Sequence, residues 1–206
     1  MNTNNPVDKQ IVAMIRGHGR GSVFTASDFF ALGTWPAIRQ ALTRLTRQGV
    51  IRRIGVSLYH YPRINEKLGG EIPPSADVVA LAVARKTGSR IVASGALAAN
   101  VLGLSTQVPA KMVYLTNGPT RMITVDPHTL SFRHVSPRRM AAKGKLSGIV
   151  FEALRYVKAT NVTGDVITKL KRNLSADAMT ELKRDLPHVA GWMRPYIQQI
   201  IAEERK

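Results

Sequence analysis

Hydrophobic residues recur at helical spacing in three segments near the amino terminus, and the third has the clearest polar face. The segments are residues 7–16, 26–32 and 35–48. In the third segment the apolar stripe comprises Ile38, Ala41, Leu42 and Leu45, and the positions on the other side are Arg39, Gln40, Thr43, Arg44 and Arg47. This pattern predicts two short helices followed by an amphipathic helix that packs on one face only.

Capping and turn residues predict the remaining elements of the amino-terminal region. Thr25 followed by Asp28 resembles a capping box at the start of the second helix. Residues 50–54 and 58–61 predict two strands, joined by a turn at residues 55–57. Residues 22–24 predict a short extended piece before the second helix. The order of helix, short strand, helix, helix and hairpin is that of a winged helix-turn-helix.

Beyond residue 61 the pattern predicts a mixed region and then helices. Glycine and proline pairs in residues 62–75 are typical of an interdomain linker or a long loop. The predicted helices are residues 78–86, 96–104, 147–158, 165–174, 176–186 and 190–204, and the predicted strands are residues 111–116, 122–126 and 130–135. Residues 137–145 are expected to form a basic, mobile connector.

These elements predict an α+β fold of two domains. Residues 1–65 are expected to be a winged helix-turn-helix DNA-binding domain. Residues 75–206 are expected to be a second domain, with an α/β part containing a small antiparallel sheet at 75–136 and a helical part at 147–206. A small helical bundle and a partner-binding surface are both open interpretations of the helical part.

The charge changes this picture by indicating an anionic partner. The 206 residues carry a formal net charge of +17. Nucleic acid is the default partner for such a charge, and an anionic membrane surface is the alternative. Residues 1–65 contribute +7 with only Asp8 and Asp28 as acids, whereas residues 137–206 reach +7 with both signs mixed. The nearly acid-free amino-terminal region favours duplex DNA as its partner.

Composition also excludes several classes of protein. The chain has no cysteine, which excludes disulfide scaffolds, cysteine-ligated zinc and a thiol nucleophile. No apolar run approaches the roughly 20 residues of a membrane span, and the first six residues are polar. We therefore expect a cytoplasmic protein without a membrane partner.

The candidate DNA-binding residues lie on the third helix and the hairpin. Arginine can bond guanine edges and glutamine can bond adenine in the major groove, and a helix amino end can hold a phosphate. A hairpin can contact the backbone or the minor groove. The candidates are Thr34, Arg39, Gln40, Thr43, Arg44, Arg47, Arg52, Arg53, Ser57 and Tyr59. A solvated helix face and a protein-interaction module are the alternatives for the same region.

No catalytic constellation emerges from the sequence. The glycine-rich residues 17–21 follow a predicted helix rather than a strand, which does not suit a phosphate loop. The five histidines show no metal-binding spacing. Asp126 and Glu181 are the best carboxylates for a metal-dependent nuclease, but Glu181 fits an ordinary helical charge pattern. We expect no enzyme activity, no cofactor and no metal site.

Three segments resemble one known family. Residues 49–54 (Gly-Val-Ile-Arg-Arg-Ile) with Leu58-Tyr59 resemble the wing of AbiEi-type antitoxins. Residues 94–109, which contain Leu-Gly-Leu-Ser-Thr-Gln-Val-Pro, and residues 111–119 resemble the start of the second domain of that family. The resemblance covers roughly residues 5–135. One position departs from the pattern, because Ser57 stands where a glycine is expected before the returning strand.

The resemblance implies a type IV toxin–antitoxin system. In that family the winged helix represses the operon's own promoter, the carboxyl-terminal part is the antitoxin, and the toxin is a nucleotidyltransferase-like protein that the antitoxin does not usually bind. The alternative is a stand-alone winged-helix regulator whose second domain senses a ligand through Leu97, Val101 and Tyr114. Neither interpretation fixes the operator, the toxin or the oligomeric state.

Overall fold

A computed structural model describes residues 6–107, 109–125 and 127–202 of the chain, with the side chain of Leu68 left aside. The fold is α+β, with small antiparallel sheets and helices, as expected. Contacts divide it into two compact units. The first extends to Ser89 and includes Ile123–Leu130, and the second comprises Arg90–Met122 and the chain from Ser131 onwards.

The first unit begins with the expected order of elements. Helix α1 (Pro6–His18) is followed by strand β1 (Val23–Thr25), a 3₁₀ helix (Ala26–Leu32) and helix α2 (Trp35–Arg47). Strands β2 (Arg52–Gly55) and β3 (Leu58–His60) form the hairpin, and β1 pairs antiparallel with the other side of β3. The buried core of these elements is made of Ile11, Ile15, Phe24, Ala26, Phe29, Ile38, Ala41, Leu42, Leu45 and Ile51.

Local polar contacts explain two of these boundaries. The Asp28 carboxylate accepts hydrogen bonds from the backbone N–H of Thr25 at 2.7 Å and from its hydroxyl at 3.2 Å, so it fixes the start of the 3₁₀ helix. At the hairpin tip Ser57 has φ 56°, in the left-handed region that favours glycine. The glycine expected there from the family pattern is thus replaced by a serine in the backbone conformation that a glycine would adopt.

Residues 62–75 are not an extended linker. Strands β4 (Arg63–Asn65) and β5 (Gly70–Ile72) pair antiparallel around a turn. The Asn65 side chain accepts from the N–H of Lys67, and Gly69 takes a left-handed conformation that reverses the chain. The glycines that suggested a loop therefore belong to a hairpin.

Helix α3 (Ala76–Lys86) belongs to the first unit, whereas the expected boundary lay between residues 65 and 75. The helix packs against β1. Its Arg85 donates to the backbone carbonyl of Val23 at 2.9 Å and lies 3.4 Å from the Asp28 carboxylate. The division of the chain falls after Ser89 because these contacts join α3 to the amino-terminal elements.

A four-stranded sheet follows, which contains the three predicted strands and one more, β6. Strand β6 is Ile91–Ala93, helix α4 is Gly95–Val101, and strands β7, β8 and β9 are Met112–Thr116, Arg121–Val125 and His128–His134. The strand order is β6-β7-β9-β8, and β6 pairs antiparallel with β7. Leu97 and Tyr114 are buried here, and Val101 is half exposed.

Four α-helices follow the sheet in the part of the second unit that the structure describes. They are α5 (Lys145–Val157), α6 (Gly164–Asn173), α7 (Ala176–Asp185) and α8 (Arg194–Ile201), and a 3₁₀ turn at Gly191–Met193 precedes the last. Helix α5 packs against α4 and α7, and α8 packs against α6 and α7. The Ser175 side chain accepts from the N–H of Ala178 and so caps the amino end of α7.

The connector before α5 is held by ion pairs and hydrogen bonds, contrary to the expected mobility. The Arg139 guanidinium forms two hydrogen bonds with the buried carboxylate of Glu152, at 2.7 and 3.1 Å. The Gly144 N–H donates to Asp185 at 2.7 Å, and Glu181 accepts from the N–H of Leu146 at 2.9 Å. Carboxylates of α5 and α7 therefore fix this basic segment, and Glu181 has a structural partner.

Two further observations concern the described part of the chain. None of its helices has the length and apolar character that crossing a membrane requires. Asp126, the other carboxylate considered for a nuclease, lies outside the described residues.

We expect Asp185 to make stability depend on acid pH. Its carboxylate has no exposed surface, and burial by itself raises the pKa of Asp185. The Gly144 N–H, further donors at this turn and Arg184 outweigh burial, so the net pKa of Asp185 is lowered. The folded chain therefore holds this proton less tightly than the unfolded chain, and stability is lost as pH falls below about 4.

The substitution Asp185→Asn tests this assignment by urea unfolding at several pH values. At neutral pH we expect the variant to lose about 1–3 kcal/mol, because the charge-assisted hydrogen bond is weakened. The difference from the natural chain should shrink as the pH falls through 4. A difference that stays constant between pH 7 and 3 would contradict the role of the ionised carboxylate.

Candidate nucleic-acid interface

Helix α2 presents one fully buried face and one open face. Ile38, Ala41, Leu42 and Leu45 have no exposed surface. The opposite face contains no acidic residue and lines a shallow groove of about 410 Å³. The residues along the groove are Trp35, Pro36, Arg39, Gln40, Thr43, Arg44 and Arg47. Hydrophobic burial therefore fixes the orientation of the helix and turns its polar residues outward.

Most of the α2 candidates lie together on this open face. Arg39, Gln40, Thr43 and Arg47 are exposed, and Thr34 is exposed at the residue before the helix. The Thr43 hydroxyl donates to the Arg39 carbonyl at 2.9 Å, which leaves its oxygen lone pairs facing outward as acceptors. Thr34 makes no capping bond with its side chain. These residues form a polar row that could contact a ligand along the helix.

Arg44 differs from its neighbours because it is joined to α1. Its Nη2 lies 2.7 Å from Oδ1 of Asp8, and its Nε lies 2.9 Å from Oδ2. Asp8 is 1% exposed, whereas the Arg44 side chain is 37% exposed. The hydrogen bond to Asp8 raises the pKa of Arg44 above its ordinary value. This bidentate pair holds α2 against α1 and removes two donor atoms of Arg44 from any external contact.

The hairpin supplies a second basic group. Arg52 and Arg53 are exposed on β2, and Arg53 Nε donates to the carbonyl of Gly55 at 3.3 Å. Arg52 lies 3.1 Å from the Glu71 carboxylate on β5. Ser57 is half-buried in the turn, and the ring of Tyr59 packs against the core of the first unit. The two arginines are thus available at the surface, whereas Tyr59 is mainly structural.

A concavity of about 260 Å³ lies beside the two hairpin arginines. Arg52, Arg53, His60 and Glu71 line it together with apolar residues and the proline pair 73–74. Burial is the main cause that lowers the pKa of His60. The positive charge of Arg52 also lowers this pKa, whereas the negative charge of Glu71 raises it. The imidazole is therefore neutral at neutral pH. Its Nε2 has no hydrogen-bond partner among the described residues.

Two exposed aromatic residues beside α2 were not expected from the sequence. Phe30 is 57% exposed and Trp35 is 45% exposed. Their ring centroids lie 5.5 Å apart in an edge-to-face arrangement. The guanidinium carbon of Arg39 lies 6.0 Å from the centre of the Trp35 ring. The spacing of Trp35 and Arg39, four residues apart on one helix, is the sequence signal that could have found this contact.

The described residues contain no group of three or more histidine, aspartate or glutamate side chains arranged to hold a metal ion. The chemistry of this surface is that of hydrogen-bond donors, cations and aromatic rings.

Comparison with known proteins defines the class without assigning an activity. The α+β chain belongs to the family of unknown function DUF6088, whose model matches residues 10–182. No curated protein matches it. Among solved structures, the RV2827C protein from Mycobacterium tuberculosis is similar to it, at 13% sequence identity and a TM-score of 0.43. That similarity covers 98% of this chain and 83% of the other.

We expect the Asp8–Arg44 pair to stabilise the first unit. The substitution Arg44→Met keeps the length of the side chain but leaves the Asp8 carboxylate buried without its partner, which is strongly unfavourable. The midpoint of urea unfolding should fall. Arg47→Met is the matched control, because it removes an exposed cation from the same helix without breaking such a pair. Equal midpoints for the two variants would contradict a structural role for Arg44.

Proposed function

We propose that this protein is a sequence-specific, duplex-DNA-binding transcriptional repressor whose amino-terminal unit acts as a winged helix-turn-helix. The observation that carries this proposal is the open face of α2, an acid-free row of Arg39, Gln40, Thr43 and Arg47 on a helix whose other face is fully buried. A row that presents exposed N–H donors and itself contains no carboxylate suits the acceptor-rich edges of base pairs.

The dimensions of the helix support major-groove reading. The 13 residues of α2 span about 20 Å at 1.5 Å per residue. The major groove of B-DNA is about 12 Å wide and admits one helix. Arg39 and Gln40 are the residues best suited to base edges, because they are exposed and the Arg39 guanidinium is held by no ion pair that the structure describes. Thr34 and Arg47, at the two ends of the row, suit phosphates.

The hairpin provides the second set of contacts in this proposal. Arg52 and Arg53 lie on the strand that leads to the tip, and Val56 at the tip is 80% exposed. Arginines so placed suit the phosphate backbone or the minor groove, as in the wing of a winged helix. These contacts add affinity that depends on salt and carries little sequence information.

The resemblance to AbiEi-type antitoxins supports a more specific proposal. We infer that the DNA is the promoter of the protein's own operon, and that the carboxyl-terminal part neutralises a nucleotidyltransferase-like toxin in the cytoplasm. The resembling segments at residues 49–54 and 94–119 lie in both units, so the resemblance is not confined to the DNA-binding part.

Two matched variants test the DNA-binding proposal in gel-shift titrations on the upstream region of the gene. Arg39→Ala should cost about 1–3 kcal/mol of binding and relax the preference for one base pair, if its guanidinium bonds a base edge. Arg53→Ala should weaken binding to every duplex alike and lower the dependence of log K on log salt concentration by about one.

The natural chain supplies the decisive control for these titrations. It should retard the upstream fragment at concentrations that leave a scrambled fragment free. Equal affinity for both fragments would contradict sequence-specific reading. A loss of the same size on both fragments with Arg39→Ala would assign Arg39 to phosphate contacts instead.

Co-expression tests the antitoxin proposal separately. We expect a nucleotidyltransferase-like gene beside this one, and expression of its product alone should arrest growth. The natural chain should restore growth, and a chain carrying Arg39→Ala and Arg53→Ala should also restore it, because the antitoxin activity is assigned to the carboxyl-terminal part. Absence of such a neighbour, or arrest that the natural chain does not relieve, would contradict the antitoxin role and leave a stand-alone regulator.

A further inference from the structure

Phe30 and Trp35, here called the aromatic pair, expose a large apolar surface at the amino end of α2. The two side chains are 57% and 45% exposed. Their rings meet edge to face, with centroids 5.5 Å apart. Aromatic side chains of this size normally bury most of their surface, so a contiguous exposed pair is a candidate for a binding surface.

The fold of the first unit does not account for this pair. The core uses Phe24 and Phe29, which are 2% and 0% exposed, so the adjacent Phe30 on the same 3₁₀ helix faces away from the core. The buried stripe of α2 begins at Ile38, one turn beyond Trp35. Both aromatic side chains therefore sit next to the core without entering it.

The surroundings of the pair indicate what covers it. Trp35 lines the same groove as Arg39 and Gln40, so the apolar surface continues into the polar row of α2. The Arg39 guanidinium lies 6.0 Å from the Trp35 ring, at the outer limit of a cation–π contact. An occupant that offers an apolar group close to an acceptor-rich edge would match both parts of this surface.

We infer that the aromatic pair reads thymine methyl groups in the major groove, an inference that rests on the proposed function. The C5-methyl of thymine is the apolar group that base pairs display in the major groove, and phenylalanine is among the side chains that contact it. Arg39 lies beside the Trp35 ring and can donate to the acceptors of a neighbouring base pair. The pair and Arg39 together select thymine next to an acceptor-rich step.

The experiment replaces thymine by uracil, which removes only the methyl group. Duplexes are first selected from a random pool by the natural chain, and each thymine of the selected site is then replaced by deoxyuridine in turn. Replacement at the contacted positions should weaken binding about fourfold per methyl, the value expected for burying one such group. Replacement elsewhere in the site should have no effect.

Variants of the pair assign the effect to these side chains. Phe30→Ala and Trp35→Ala should bind the thymine duplex more weakly and should no longer distinguish it from the uracil duplex. Arg47→Ala is the matched control from the same groove, and it should weaken binding while keeping the fourfold distinction. Circular dichroism and thermal melting establish that each variant is folded.

A spectroscopic measurement on the unaltered pair avoids any dependence on those variants. The chain has two tryptophans, so Trp192→Phe leaves Trp35 as the single reporter. Its fluorescence should change on binding the thymine duplex, and the change should be smaller with uracil at the contacted positions. An unchanged signal on specific binding would overturn the inference.

The outcomes separate this inference from the proposed function. If the natural chain selects no sequence, duplex reading itself fails. If it selects a site but uracil has no effect, or the variants keep the distinction, DNA reading stands and the thymine contact is wrong. If Trp35→Ala changes the sedimentation coefficient of the free protein while the uracil effect persists, the pair is a contact between copies of the chain, and the inference is overturned.

Discussion

The buried stripe of α2 is the constraint on which the candidate interface depends. Four side chains with no exposed surface, Ile38, Ala41, Leu42 and Leu45, fix the rotation of the helix about its axis. Burial of one such leucine or isoleucine contributes about 1.5–3 kcal/mol, so a rotation that exposed the stripe would be very costly. The outward position of Arg39, Gln40, Thr43 and Arg47 follows from this burial and needs no partner.

The Asp8–Arg44 pair further constrains the position of α2 relative to α1. Apolar packing sets which face of α2 is inside, but it tolerates sliding between helices. A bidentate ion pair with distances of 2.7 and 2.9 Å does not tolerate such sliding, because both N–H groups and both oxygens must stay aligned. The pair therefore fixes α1 and α2 in register. It also engages Arg44, which its charge and its place on α2 had suggested as a DNA contact.

These two interactions also show how far the sequence predicts this protein. The stripe of α2 is periodic and local, so the helix and its open face are predictable from spacing. The contact of Asp8 with Arg44 joins residues 36 positions apart, and no local pattern indicates it. The packing of α3 on β1 was missed for the same reason, because it joins distant parts of the chain. The β4–β5 hairpin is local, and it was missed because glycine and proline signals do not distinguish a loop from a hairpin. The exposure of Phe30 beside the buried Phe29 also depends on tertiary packing.

Several cations of the first unit are already engaged by groups of the fold, and their arrangement affects how DNA would be read. Arg44 is bound to Asp8, Arg20 donates to the carbonyl of Pro62, and Arg52 is paired with Glu71. A phosphate at Arg52 must therefore compete with a carboxylate already 3.1 Å away, whereas Arg39 has no such competitor among the described residues. The gain from a hairpin contact is correspondingly smaller. Discrimination between sequences should thus come from α2, with the hairpin contributing mainly the salt-dependent part of the affinity.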